Sequence, residues 1–120
     1  MKATELRIGN MLYLGLDMVV VSAIYPDSYH CVNKHCVVLN SNQYRFSGIP
    51  LTEEWLLKFG FKRKIEDDTP FTYPQVQFIK DAAILEKYDK GFLYTGVHIQ
   101  YVHQLQNLYF SLKGEELELK

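Results

Sequence analysis

The residues best suited to chemistry are two His-Cys pairs, His30-Cys31 and His35-Cys36, on either side of Asn33-Lys34. Imidazole and thiolate are zinc ligands, and neighbouring thiols also form disulfides. The flanking runs 29–32 and 35–39 have β character, and Asn33 tolerates the positive φ of a two-residue hairpin loop. Such a hairpin pairs Val32 with His35 and Cys31 with Cys36, setting the cysteine Cβ atoms about 5 Å apart on one face. Both histidines then point to the other face. Four ligands cannot converge on one metal in this arrangement, and the spacing lacks a second Cys-x2-Cys half. A metal shared by the two thiols and a redox pair are the alternatives; inert thiols in a reducing compartment are the expectation, with no metal and no cofactor.

For acid-base or nucleophilic catalysis the candidates are His98, in a strand-like run, and His103, in the first turn of a helix. No nucleophile elbow, carboxylate pair or glycine-rich phosphate loop accompanies them, so no catalytic residue is assigned and a non-enzymatic protein is expected. Lys58, Lys62, Arg63 and Lys64 beside Phe59 and Phe61 form the one basic patch able to hold a nucleic-acid strand by phosphate contact and stacking. Three acids, Glu66, Asp67 and Asp68, follow at once, and the two phenylalanines suit a core, so a solvated, charge-alternating loop is the simpler reading. On the last helix His103, Asn107 and Phe110 fall together away from the apolar stripe, marking a possible partner surface, including a homodimer contact.

The elements that position these residues follow from periodicity and turn chemistry. Residues 6–14 read as a strand kinked at Gly9-Asn10, and 18–24 as a strand buried on much of both faces and closed by Tyr25-Pro26-Asp27-Ser28. With the hairpin beyond, this half suggests a small curled or SH3-like sheet, an architectural likeness only. Thr52 is placed to cap a short helix, Glu53 and Glu54 favour its positive end, and Gly60 stops it. Leu51 can staple onto Leu56, with Trp55, Leu56 and Phe59 facing inward. Runs 71–79, 83–88 and 92–100 predict an antiparallel meander, with Pro74 at an edge or delaying its strand. Val102, Leu105, Leu108, Tyr109 and Leu112 then recur at helical spacing up to Gly114, and Leu117 and Leu119 could add an edge strand.

Composition agrees with this plan. The chain has 120 residues, 48% hydrophobic and 22% charged, the size and balance of one globular domain. It should bury roughly two-thirds of its unfolded surface, enough for a core without staples. We expect a single α+β domain over residues 1–120, with a β-rich half to about 50 and a helix, meander and C-terminal helix from about 51. Aromatic residues at 14% favour strands. A net charge of −1 gives no global field toward nucleic acid or anionic membrane. No apolar run approaches the roughly 20 residues that cross a bilayer, and the first residues lack a secretory pattern, so the expectation is a cytoplasmic protein without a membrane partner.

Three blocks carry a resemblance: residues 5–10 (ELRIGN), 49–61 (IPLTEEWLLKFGF) and 101–117 (YVHQLQNLYFSLKGEEL). They resemble those of small uncharacterised proteins encoded in bacterial genomes and prophage-like regions. The resemblance implies a shared fold and a mobile-element setting; it implies no activity, and residues 15–48 lie outside it. The resulting expectation is a binding or accessory protein with an unidentified protein partner or a second copy of itself. A weak nucleic-acid-binding module is the alternative, and an enzyme comes third.

Overall fold

A computed structural model describes residues 2–66 and 75–119. The expected strand start at Phe71, the role of Pro74 and the loop residues Asp67 and Asp68 lie outside the described residues. The chain is an α+β protein, and its described residues form two antiparallel sheets and two α-helices. It divides into two compact units, Met1–Pro50 with Tyr101–Asn107, and Leu51–Gln100 with Leu108–Lys120.

The first unit opens with a single 3-10 turn, Ala3–Glu5, and then a tight turn through Asn10. The expected strand over 6–14 starts only at Met11. Asn10 Oδ1 accepts from the Arg7 N–H at 2.7 Å and Asn10 N–H donates back to the Arg7 carbonyl, while Gly9 takes φ +98°. A side chain that closes its own backbone turn replaces regular strand over 7–10, leaving only the Gly9 N–H and the Asn10 carbonyl bonded to Val21. Strands β1 (Met11–Leu14), β2 (Asp17–Ile24), β3 (Tyr29–Val32), β4 (Val38–Asn40) and β5 (Ser47–Gly48) then form a sheet in the order β4-β3-β2-β1-β5. Strand β2 is one-sided rather than buried on both faces: Val19 and Val21 are buried, whereas Met18 and Val20 are exposed. The inner face joins Leu12, Val19, Val21, Tyr29, Cys31 and Leu39 to Leu6 and Phe46 in one core.

The hairpin expected at Asn33-Lys34 is replaced by a wider loop. Val32 pairs with Val38 and Cys31 with Leu39. Asn33 Oδ1 accepts from the His35 and Val37 N–H groups at 2.9 and 3.0 Å, and Cys36 sits at φ +62°. Here Asn33 spends its carboxamide on the loop, so residues 33–37 turn before pairing resumes. Tyr101 lies over Gly48, where an added Cβ would fall 2.7 Å from the ring, so this close approach requires glycine.

The second unit opens with helix α1 (Glu53–Lys58), whose N-cap Thr52 accepts from the Trp55 N–H and whose end is turned by Gly60 at φ +89°. Leu56 and Phe59 are buried; Trp55 is only half-buried, with its ring 5.8 Å from Phe59 and the Lys58 ammonium 5.5 Å above it. Strands β6 (Lys62–Glu66), β7 (Gln75–Lys80), β8 (Ala83–Tyr88), β9 (Gly91–Tyr94) and β10 (Val97–Ile99) make a five-stranded meander. It has more strands than expected. The basic stretch 62–64 is a strand paired to β7 rather than a loop, and the run 92–100 folds back on itself at Thr95-Gly96. Phe78 packs edge-on against Phe92 at 5.7 Å.

Helix α2 (Val102–Lys113) places residues 102–107 in the first unit and 108–113 in the second, and stops at Gly114, φ +70°. Leu112, expected in the buried stripe, is partly exposed. In the tail Leu117 is buried without forming the expected edge strand.

Candidate functional site

Register determines which side chains share the outer face of the N-terminal sheet. Pairing of Met11 with Val20, Val20 with Val32 and Val32 with Val38 draws a row of apolar side chains across four strands. Tyr13 and Met18 form the adjacent pair. Met11, at the β1 end of the row, is buried and Val32 is half-buried, whereas Met18 is 41% exposed, Val20 37% and Val38 59%, and the row ends at β4, an edge strand. Paired β-branched residues in solvent are costly, because each methylene kept from burial forgoes about 0.8 kcal/mol. The run 18–24 already contained Met18 and Val20, but nothing local said which of its faces would be covered.

The His-Cys pairs do not meet. Cys31 is fully buried on the inner face and burial pushes its thiol up to about 11; Cys36 is exposed in the loop, and both are free thiols. His30 lies on the outer side with its ring 5.0 Å from Tyr25. Among the described residues no group of three His, Cys, Asp or Glu side chains is placed to hold a metal ion.

His98 is exposed in β10 with its ring against Tyr88 at 5.7 Å. His103 is 2% exposed, stacked on Tyr101 at 5.6 Å, and its Nδ1 is buried without a hydrogen-bond partner. Burial holds its pKa below the ordinary imidazole value, partly opposed by the Glu5 carboxylate.

The three residues grouped on the last helix are therefore separated. His103 is in the interior and Asn107 is engaged in hydrogen bonds, whereas Phe110 is 38% exposed. They do not make one exposed surface. The reason is a polar seam that the apolar spacing did not reveal. Asn107 Oδ1 accepts from Arg7 Nε and Asn10 Nδ2 at 3.1 and 2.8 Å, and its Nδ2 donates to the Glu5 carbonyl at 3.2 Å. Gln106, also buried, accepts from the Met11 N–H at 2.8 Å and donates to the Gly9 carbonyl at 3.1 Å. Nothing in helical periodicity marks a buried seam whose partners are backbone groups.

The basic residues lie together on adjacent elements of the second unit. Lys62, Arg63 and Lys64 are exposed on the edge strand β6, while Lys58 on α1 faces Glu54 at 3.7 Å and Trp55. Phe59 and Phe61 are buried and offer no stacking surface. In the same unit the Tyr109 hydroxyl donates to Asp81 Oδ2 at 2.6 Å. That bond, with burial, raises the phenol to about 12, a tie between α2 and the β7–β8 turn rather than a reactive group.

No protein-family model, curated protein or solved structure matches the chain. Among the described residues no helix is long and apolar enough to cross a membrane.

Proposed function

We propose that the protein is a non-enzymatic binding or accessory protein that acts in the cytoplasm and takes an extended apolar segment of a partner protein at the β4 side of its first sheet. The observation that carries this reading is the outer-face row Val20, Val32 and Val38, which is uncharged, with Val20 and Val38 exposed and Val32 half-buried, and runs to an edge strand. An added strand would satisfy the outer backbone groups of β4 and lay alternate side chains over the row. The absence of charge in the row asks for apolar residues in the partner. Two free thiols suit a reducing compartment. The mobile-element setting rests on the sequence resemblance alone.

The test is quantitative capture from the native host, comparing wild type with Val20→Lys Val38→Lys and with Phe110→Glu. Both altered valines are exposed, so the fold should survive. The reading requires proteins retained by wild type and by Phe110→Glu to be lost with the lysine pair. Retention unchanged by the lysine pair overturns it.

A second reading, weak nucleic-acid binding, draws on Lys62, Arg63 and Lys64 standing on one exposed edge strand near Lys58. Gel shift of single-stranded DNA or RNA at low salt tests it: binding should weaken steeply with salt and fall in Lys62→Gln Arg63→Gln. No shift at low salt removes it.

A further inference from the structure

One end of the N-terminal sheet carries a cavity of about 670 Å³. Its walls come from three segments: the N-terminal turn with Lys2 and Thr4, the β2–β3 turn with Asp27, and the β4–β5 loop with Asn42, Tyr44 and Arg45. Tyr29 and Phe46, ring centroids 5.6 Å apart, also line it and belong to the core beneath.

The walls are held by their own hydrogen bonds. Asn40 Oδ1 accepts from the Asn42 N–H at 2.9 Å, and the Asn40 carbonyl accepts from the Gln43 and Tyr44 N–H groups at 3.0 and 3.1 Å. Ser41 is tied twice to Tyr29, through its N–H to the Tyr29 carbonyl and through its Oγ, which accepts from the Tyr29 N–H at 3.0 Å. The opposite wall is closed by the Tyr25 N–H on the Ser28 carbonyl at 2.8 Å. A cavity fixed in this way needs little ordering when a ligand enters.

The rim side chains contrast with the walls. Among the described residues Lys2, Asp27 and Arg45 form no ion pair, and the side chains of Thr4, Asn42 and Gln43 form no hydrogen bond. Two cations from separate segments favour a doubly charged anion, and Arg45 offers a planar fork that matches phosphate oxygens. A lone carboxylate, Asp27, is repelled by that anion but accepts hydrogen bonds from vicinal hydroxyls. The carboxamides of Asn42 and Gln43 present donors and acceptors together, as the edge of a heterocycle demands. Tyr44, 42% exposed between them and Arg45, supplies a ring for stacking.

From these four elements we infer that this cavity binds a free nucleoside monophosphate, with the phosphate at Lys2 and Arg45, the sugar hydroxyls at Asp27 and the base at Tyr44. The inference is independent of the partner-binding reading, which concerns the outer sheet face and the β4 edge.

Titration of the full chain with AMP, GMP, CMP and UMP, followed by amide chemical shifts, tests it. At least one nucleotide should give saturable shifts confined to residues 2–4, 26–29 and 41–46. Arg45→Gln and Tyr44→Ala should each weaken binding by about tenfold while leaving the melting temperature unchanged, since both residues are exposed. Lys58→Gln, outside the cavity, should leave binding unchanged. No saturable shift up to about 5 mM nucleotide overturns the inference, as does binding indifferent to Arg45→Gln. Inorganic phosphate binding as tightly as every nucleotide also overturns it, because the base and sugar contacts would then contribute nothing.

Discussion

Asn10 Nδ2 donates to Asn107 Oδ1 at 2.8 Å, joining side chains separated by 97 positions. The same oxygen takes Arg7 Nε, and Gln106 beside it holds the backbone on both sides of Asn10, at Gly9 and Met11. The polar edge of α2 thereby satisfies the Glu5 and Gly9 carbonyls and the Met11 N–H, while the Gly9 N–H and the Asn10 carbonyl bond to Val21 of β2. Segments 5–11 and 106–107, far apart in the sequence, thus meet in one polar seam. A buried polar seam contributes modest net stability and large specificity, because each group left unpaired costs its full desolvation.

Asn10→Ala removes the bond that closes the Arg7 turn and the bond to Asn107, leaving the Arg7 N–H unpaired by side chain. We expect a loss of about 2 to 3 kcal/mol in urea unfolding, far above the cost of an exposed Asn→Ala change. A loss below about 0.5 kcal/mol would show that water replaces the seam at no cost.

Acid sensitivity should start early, through His103. Its folded pKa lies below the unfolded value of 6.5, so the unfolded chain binds the proton more readily. Its contribution to stability is therefore complete above pH 6.5 and is lost progressively as pH falls through the window below it. His103→Leu should flatten the stability profile between about pH 6.5 and 5, where unperturbed carboxylates are still ionised. An unchanged slope in that variant would mean that the imidazole titrates freely in the fold.

Thiol reactivity should split into two phases. Cys36 is exposed and reacts with Ellman's reagent at once, whereas Cys31 is buried with its thiol raised to about 11 and reacts only as the sheet opens. Cys36→Ser should abolish the fast phase and leave the slow one. Two fast thiols would place Cys31 at the surface.

Trp55 is half-buried, so Trp55→Ala should cost about 1 to 2 kcal/mol rather than the 3 to 5 of a core tryptophan. Its emission should be intermediate between buried and water-exposed indole. Lys58→Ala should cost a few tenths of a kcal/mol through the cation–π contact and the Glu54 pair.

The helices were legible because their signals are local. Thr52, Gly60 and Gly114 act on backbone within a few residues of themselves, and a cap or a left-handed stop works in any surroundings. The breaks between the runs 71–79, 83–88 and 92–100 were legible for the same reason, and turns at 81–82 and 89–90 separate β7, β8 and β9 there.

Long-range pairing was not legible, and it accounts for several of the departures. Asn33 can serve a two-residue turn or cap a wider loop; the choice moved the partner of Cys31 from Cys36 to Leu39 and dissolved the apparent ligand pair. Lys62, Arg63 and Lys64 read as a loop because charge dominates their local pattern, yet β7 offers a free edge whose hydrogen bonds do not depend on side-chain type. His103 and Asn107 read as a polar face because helical spacing counts only apolar contacts, while the turn through Asn10 supplied polar partners. The sequence by itself determined the two helices and the breaks between the runs 71–79, 83–88 and 92–100, since those depend on dihedral preference and nearby capping groups. Only the tertiary structure decided which face of each strand is covered and which polar side chain is buried, because burial is settled by what packs against a residue from far along the chain.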